Sequence, residues 1–123
     1  MLVDSHCHID RVDLAPFNDD MDQLIASCHE HDVKHMLCVC IDEQNYPDVL
    51  AIAEKYDCVH CSVGKHPADH EGELVDIDWL REQAKHPKVV ALGETGLDYF
   101  HCKGDLSWQQ ERFRQHIRVG KET

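Results

Sequence analysis

The sequence contains no apolar run near the roughly 18 residues that a membrane-crossing helix needs. Its first residues, Met1-Leu2-Val3-Asp4-Ser5-His6, lack the basic start and apolar core of an export signal. No membrane partner is expected, and the expected compartment is the cytoplasm. Positive charge is scarce: 12 Lys+Arg stand against 24 Asp+Glu in 123 residues, a formal net charge of −12. Such a surplus repels phosphates, which excludes a protein that coats nucleic acid through a basic face. A nucleic-acid enzyme fits only if metal ions supply the local positive charge. A paired cysteine framework is missing too. The 7 cysteines are odd in number and irregularly spaced, so with no export signal they read as free thiols. No linker or low-complexity tract interrupts the chain, and its length permits one domain and hardly two.

What is present is enough apolar material for a core, at 42% hydrophobic and 29% charged residues. Leu2 to Ser5, Val33 to Cys40, Cys58 to Val63 and Lys88 to Gly93 are β-prone runs. Between them lie helical periods. Met21, Leu24, Ile25 and Cys28 share one stripe behind a cap at Asn18, Asp19 or Asp20, ending near His31 or Asp32. Tyr46 to Tyr56 follows with Asn45 as its cap and Pro47 in the first turn. Asp76 caps a third helix through Trp79, Leu80 and Ala84, which Pro87 stops at His86. Ser107 to Gly120 is a fourth, with Trp108, Phe113 and Ile117 as its apolar residues. Four strands alternating with four helices specify an α/β fold with a parallel sheet. The polar residues that follow each strand then gather at one mouth of that sheet.

The sharpest chemical signal is His6-x-His8 at the end of the first strand. A period of 2 puts both imidazoles on one face, where they can converge on one cation. Asp4 shares that parity, whereas Cys7 points the other way, into the core. Glu94, in Gly93-Glu94-Thr95-Gly96-Leu97-Asp98-Tyr99 after the fourth strand, sits where glycines let the chain turn tightly and present a carboxylate ligand. Asp98 and Tyr99 either join the site or order this loop. His66, in Gly64-Lys65-His66-Pro67 after the third strand, faces the same mouth and is a candidate for phosphate binding or proton relay. Lys65 reads as an exposed side chain or a phosphate contact.

The remaining polar features read as structural. Cys58 and Cys61 are three apart on a strand and so point to opposite faces, and Cys38-x-Cys40 has no second pair, which argues against a cysteine zinc site. His29, His31 and His35 lie near a helix end, where they favour its dipole. Asp69 to Glu73 reads as a solvated acidic loop.

Taken together, Val3-Asp4-Ser5-His6-Cys7-His8-Ile9-Asp10, Gly64-Lys65-His66-Pro67 and Ala91-Leu92-Gly93-Glu94-Thr95-Gly96-Leu97-Asp98-Tyr99 resemble the TatD-type metal-dependent deoxyribonucleases. Gln109-Gln110-Glu111-Arg112-Phe113 is similar to the family's segment after the acidic motif. The resemblance runs over the whole chain. It implies a TIM-barrel hydrolase with one or two divalent ions (Zn, Mn or Mg) at the C-terminal mouth, acting on DNA phosphodiester bonds. It also implies that His6 and His8 bind one ion, that Glu94 bridges both, and that Glu94 and His66 serve catalysis. Lys65 stands where the family more often has a small apolar residue. Such a barrel takes about 250 residues, so residues 1–123 are expected to form a single domain, the N-terminal (βα)4 half of a (β/α)8 barrel. The histidines and late aspartate that complete the ion sites have no match here, so the chain by itself is expected to be inactive and prone to self-association. Two alternatives stand beside this reading: a non-catalytic metal-binding half barrel, and an amidohydrolase acting on an amide or ester.

Overall fold

The computed structural model describes residues 1–123. Strands β1 (Leu2–Cys7), β2 (Val33–Cys38), β3 (Val59–Val63) and β4 (Val89–Leu92) form one sheet in the order β1-β2-β3-β4. Every neighbouring pair is parallel. Helices α1 (Met21–Glu30), α2 (Tyr46–Lys55) and α3 (Ile77–Gln83) make the crossovers, and α4 (Ser107–Glu122) follows β4. The chain is a (βα)4 parallel unit, half of a TIM-barrel fold, as the alternation of strand and helix periods predicts.

The helix starts follow local hydrogen-bond chemistry. Asp20 accepts from the Asp22 amide to cap α1, and Asp76 accepts from the Asp78 and Trp79 amides to cap α3. At the end of α1, Nδ1 of His29 and His31 donate to the Ile25 and Ser27 carbonyls, in keeping with the dipole reading for these two. Asn45 differs from expectation, because its side chain caps nothing on α2. Its Oδ1 accepts from the Ile41 and Asp42 amides, and its Nδ2 donates to Asp10. Asp42 in turn accepts from the Asn45 amide, which closes the turn that leads into α2.

The core lies between the sheet and its helices. Met36 and Cys38 of β2 and Val59, Cys61 and Val63 of β3 are buried in one cluster with Leu24, Ile25, Val49, Ala53, Leu80 and Val119. Burying each Val or Leu side chain contributes about 1.5–3 kcal/mol, and the alternate positions of β3 supply two of them, Val59 and Val63, with Cys61 between. All seven cysteines are free thiols. Burial pushes Cys38 and Cys40 up to about 12, and Cys7 and Cys61 up to about 11, far from the thiolate that zinc requires.

Helix α4 overturns the expected burial pattern. Ile117 is 44% exposed, while Gln109, Arg112, Gln115, His116 and Val119 are buried. The reason is the segment after β3, whose backbone polar groups need partners. Gln115 both accepts from the Val75 amide and donates to the Val75 carbonyl, and Gln109 donates to the Pro67 carbonyl. The apolar side of α4 instead flanks the outer edge of β4. There Val90, Leu92, Phe113 and Ile117 help line an open groove of about 630 Å³. The outer edges of β1 and β4 are both unpaired.

Candidate metal centre

The site assembles where β1 and β4 end. The strand β1 carries His6, and a 3-10 turn, Ile9–Arg11, begins directly after His8. Ligand atoms of His6, His8 and Glu94 lie within 4.8 Å of one another, the one grouping of three or more metal-ligating side chains in the structure. Nε2 of His6 is 3.5 Å from one Glu94 oxygen, and Nε2 of His66 is 3.6 Å from the other. The two histidine rings of β1's end meet edge to face with centroids 5.3 Å apart. Together with Arg11, Ile41, His66 and Asp69, these residues line an open cavity of about 410 Å³.

Two imidazoles and a carboxylate suit a borderline or hard divalent ion. Nδ1 of His8 is buried with no hydrogen-bond partner in the chain, so the protein leaves coordinating capacity unmet at this point. The donor set therefore fits the expected metal. Asp4, despite its shared parity, is not part of the cluster; its Oδ1 accepts from the His6 amide. The tautomer of His66 is set by a backbone contact. Its Nδ1 accepts from the Ala68 amide at 3.0 Å, which puts the proton of the neutral ring on Nε2, toward Glu94.

Glu94 is held by backbone contacts across the sheet. Its amide donates to the Cys40 carbonyl at 2.7 Å, and the preceding Gly93 amide donates to the Val63 carbonyl. Ser62, buried within β3, donates to the Gly93 carbonyl at 2.7 Å and accepts from the Cys40 amide. Three strand ends are thus tied together directly beneath the carboxylate. Asp98 orders the following loop, accepting from the Phe100 and His101 amides and from the His101 ring. The His101 backbone hydrogen bond, with that ring, holds its carboxyl below the usual range.

Lys65 is neither exposed nor available to phosphate. Only 5% of its side chain is exposed, and its Nζ lies 3.4 Å from Glu43 and 3.0 Å from Glu73. The hydrogen bond from Lys65 holds Glu73 below the ordinary glutamate range. The loop from Asp69 to Glu73 is likewise not simply solvated. Arg112 reaches from α4 and donates five hydrogen bonds of 2.6–2.9 Å to the carbonyls of His66, Asp69, His70 and Glu73. Its guanidinium also stacks over Trp108, 4.7 Å from the ring centre. His70 in turn reaches Asp42 at 3.0 Å. Burial alone would raise the Asp42 carboxyl, but the His70 and Asn45 hydrogen bonds overcome it and leave the group below its ordinary value.

His116 completes this support. Its Nε2 accepts from the Lys65 amide at 3.1 Å, and its Nδ1 donates to the Arg112 carbonyl, so the ring must be neutral. Burial pushes its pKa below the ordinary imidazole value. The stability this contributes is fully present above the unfolded pKa of about 6.5, and is lost as pH falls through that value toward the lowered folded one. Urea midpoints of the wild type are expected to drop between pH 7.5 and pH 5.5 by more than those of His116→Gln. Equal pH dependence in both proteins would refute this role.

Arg112, His116, Ser62 and Arg11 were not legible as parts of the site. The α4 residues leave one trace: Gln109, Arg112, His116 and Val119 recur at spacings of three and four, a mostly polar buried stripe distinct from Phe113 and Ile117.

Residues 3–123 match the model of a family described as TatD related DNase. The chain is 39% identical over 121 residues to the Escherichia coli protein described as uncharacterized metal-dependent hydrolase YcfH, covering 98% of this chain and 45% of that protein. It is 32% identical to YabD of Bacillus subtilis, described in the same words, over 48% of that protein. Fission yeast deoxyribonuclease Tat-D is 33% identical over 115 residues, which cover 82% of this chain and 36% of that protein. The crystal structure of YjjV, a TatD homolog from E. coli, superposes with a TM-score of 0.81 at 28% identity, covering 98% of this chain and 47% of that one. The chain spans about half the length of the curated relatives it matches.

Proposed function

Because this chain belongs to the TatD related DNase family, we propose that it forms the N-terminal, metal-ligating half of a divalent-metal-dependent hydrolase acting on phosphodiester bonds of DNA. The observation that carries the reading is the convergence of His6, His8 and Glu94 from opposite edges of the sheet onto one cavity. A cation at these residues also resolves the electrostatic conflict of a chain with net charge −12 and a polyanionic substrate.

In this proposal His6, His8 and Glu94 hold one or two ions of Zn, Mn or Mg. When bound, such an ion supplies Lewis-acid polarisation of the phosphoryl group and makes water easier to deprotonate. His66 presents an N–H rather than a lone pair to the cavity, so it acts as a donor to Glu94 or to a substrate oxygen, not as a metal ligand. Glu94 has His66 3.6 Å from one oxygen and His6 3.5 Å from the other, so both oxygens face the imidazoles of the cavity. The DNA partner is engaged through its phosphates, and a cytoplasmic setting accords with the free thiols. Three protein ligands make an open site, so the 123-residue chain is expected to bind metal without fast turnover.

Calorimetric titration with Mn²⁺ tests the site. His6→Ala and Glu94→Gln are each expected to weaken binding by at least about 10- to 100-fold, the loss typical when a residue that merely orients a metal ligand is changed. In the full-length gene product, EDTA is expected to abolish DNA hydrolysis and added Mn²⁺ to restore it. Unchanged Mn²⁺ affinity in both variants would sink the proposal, and chelator-insensitive hydrolysis would sink its mechanism.

A further inference from the structure

The cavity wall built by His6, His8, His66 and Glu94 carries two further ionic groups, Arg11 and Asp69. Arg11 is the only Lys or Arg on that wall. The neighbouring cation, Lys65, is buried between Glu43 and Glu73 and offers nothing to a ligand. Arg112 is fully engaged by backbone carbonyls. Arg11, by contrast, is 57% exposed, and its single polar side-chain contact is a loose one, Nε to Asp10 at 3.8 Å.

Asp10 is itself fixed. Its side chain is 4% exposed, and its Oδ2 accepts from Asn45 at 3.0 Å. It lies beside the base of the guanidinium, whose terminal nitrogens have no acceptor in the chain. Two residues separate Arg11 from His8, so the tight turn Ile9–Arg11 brings a permanent cation to the rim of the metal-ligating cluster.

We propose that Arg11 is the phosphate-contacting, specificity-determining residue of this site, its guanidinium pairing with non-bridging oxygens of a phosphodiester. The inference rests on the metal-dependent phosphodiesterase reading and adds the group that selects an anionic substrate. A guanidinium suits the task because its planar fork matches two phosphate oxygens at once and stays charged at every working pH. It also counters the charge of Asp69, which lines the same cavity and would otherwise repel that phosphate.

The test titrates the Mn²⁺-loaded chain with inorganic phosphate, following ³¹P relaxation, in the wild type, Arg11→Gln and Arg11→Lys. Mn²⁺ affinity is measured calorimetrically on the same samples. Arg11→Gln is expected to weaken phosphate binding about tenfold or more and to leave Mn²⁺ affinity within about twofold, with Arg11→Lys intermediate. Phosphate binding equal in Arg11→Gln and wild type would overturn the assignment. So would a parallel loss of Mn²⁺ affinity, which would make Arg11 a support of the ligands. If the wild type takes up no Mn²⁺, the metal reading fails separately. The phosphate titration repeated without metal then decides Arg11 by the same tenfold criterion, with equal or absent binding overturning it.

Discussion

Replacing Gly64 by alanine is expected to destabilise the chain by about 2–4 kcal/mol and to weaken metal binding with it, a large fraction of the stability of a small domain. A Cβ at Gly64 would lie 2.7 Å from both the carbonyl carbon and the oxygen of Gly93, and 2.8 Å from its Cα. All three are backbone atoms, so no side-chain rotamer relieves the clash. The ends of β3 and β4 must move apart instead. That movement pulls on the Gly93 amide bonded to Val63, and on the Ser62 hydroxyl that holds the Gly93 carbonyl. Glu94 is the next residue, so strain at Gly64 is delivered to the candidate ligand. Gly72→Ala is the matched control. Gly72 has φ +84 and nothing within 4 Å of an added Cβ, so only the left-handed backbone penalty of about 1 kcal/mol applies there. Urea midpoints and Mn²⁺ affinity measured on both variants check the contrast. A Gly64→Ala protein as stable as Gly72→Ala would show that the close approach of the two strand ends is not a constraint.

Arg112→Ala is expected to be at least as damaging, at about 3–5 kcal/mol. Arg112 is 1% exposed and gives all five of its hydrogen bonds to backbone carbonyls between His66 and Glu73. Truncation leaves those part-buried carbonyls without their donor, at a cost of about 1–3 kcal/mol for each that stays shielded from water. It also removes the planar partner of Trp108. Arg112→Lys keeps the charge but offers three donors from one atom where the fork offered five across a plane, so an intermediate loss is expected. Thermal or urea unfolding of both variants provides the measurement. Because His66 is one of the residues whose carbonyl Arg112 holds, proteolysis between residues 66 and 73 should accelerate in parallel. An Arg112→Ala chain with wild-type stability and loop protection would contradict this account.

The fold and the side chains that meet at its mouth were legible because both rest on short-range periods. His6 and His8 are two apart at a strand end, Asp20 and Asp76 sit directly before helical stripes, and Glu94 follows a β-prone run between glycines. Each pattern specifies geometry within a few residues of itself. Local pattern misjudged α4, Lys65 and Asn45 for a common reason: their partners lie elsewhere in the chain. Arg112 meets the His66 carbonyl across 46 positions, and His116 meets the Lys65 amide across 51. Asn45 reaches Asp10 across 35.

By itself, then, the sequence determined the alternation of strands and helices, the parallel sheet, and the identity of the imidazoles and carboxylate at its mouth. Side-chain alternation and capping operate locally, and they suffice for that much. Only the tertiary structure decided which charges remain free to act. It committed Lys65 to Glu43 and Glu73 and Arg112 to a loop's carbonyls, and it left Arg11 beside the cavity with its terminal nitrogens unpaired. Burial and hydrogen-bond satisfaction depend on which backbone groups come within about 3 Å, a property of the packed chain that no residue's own neighbours in sequence specify.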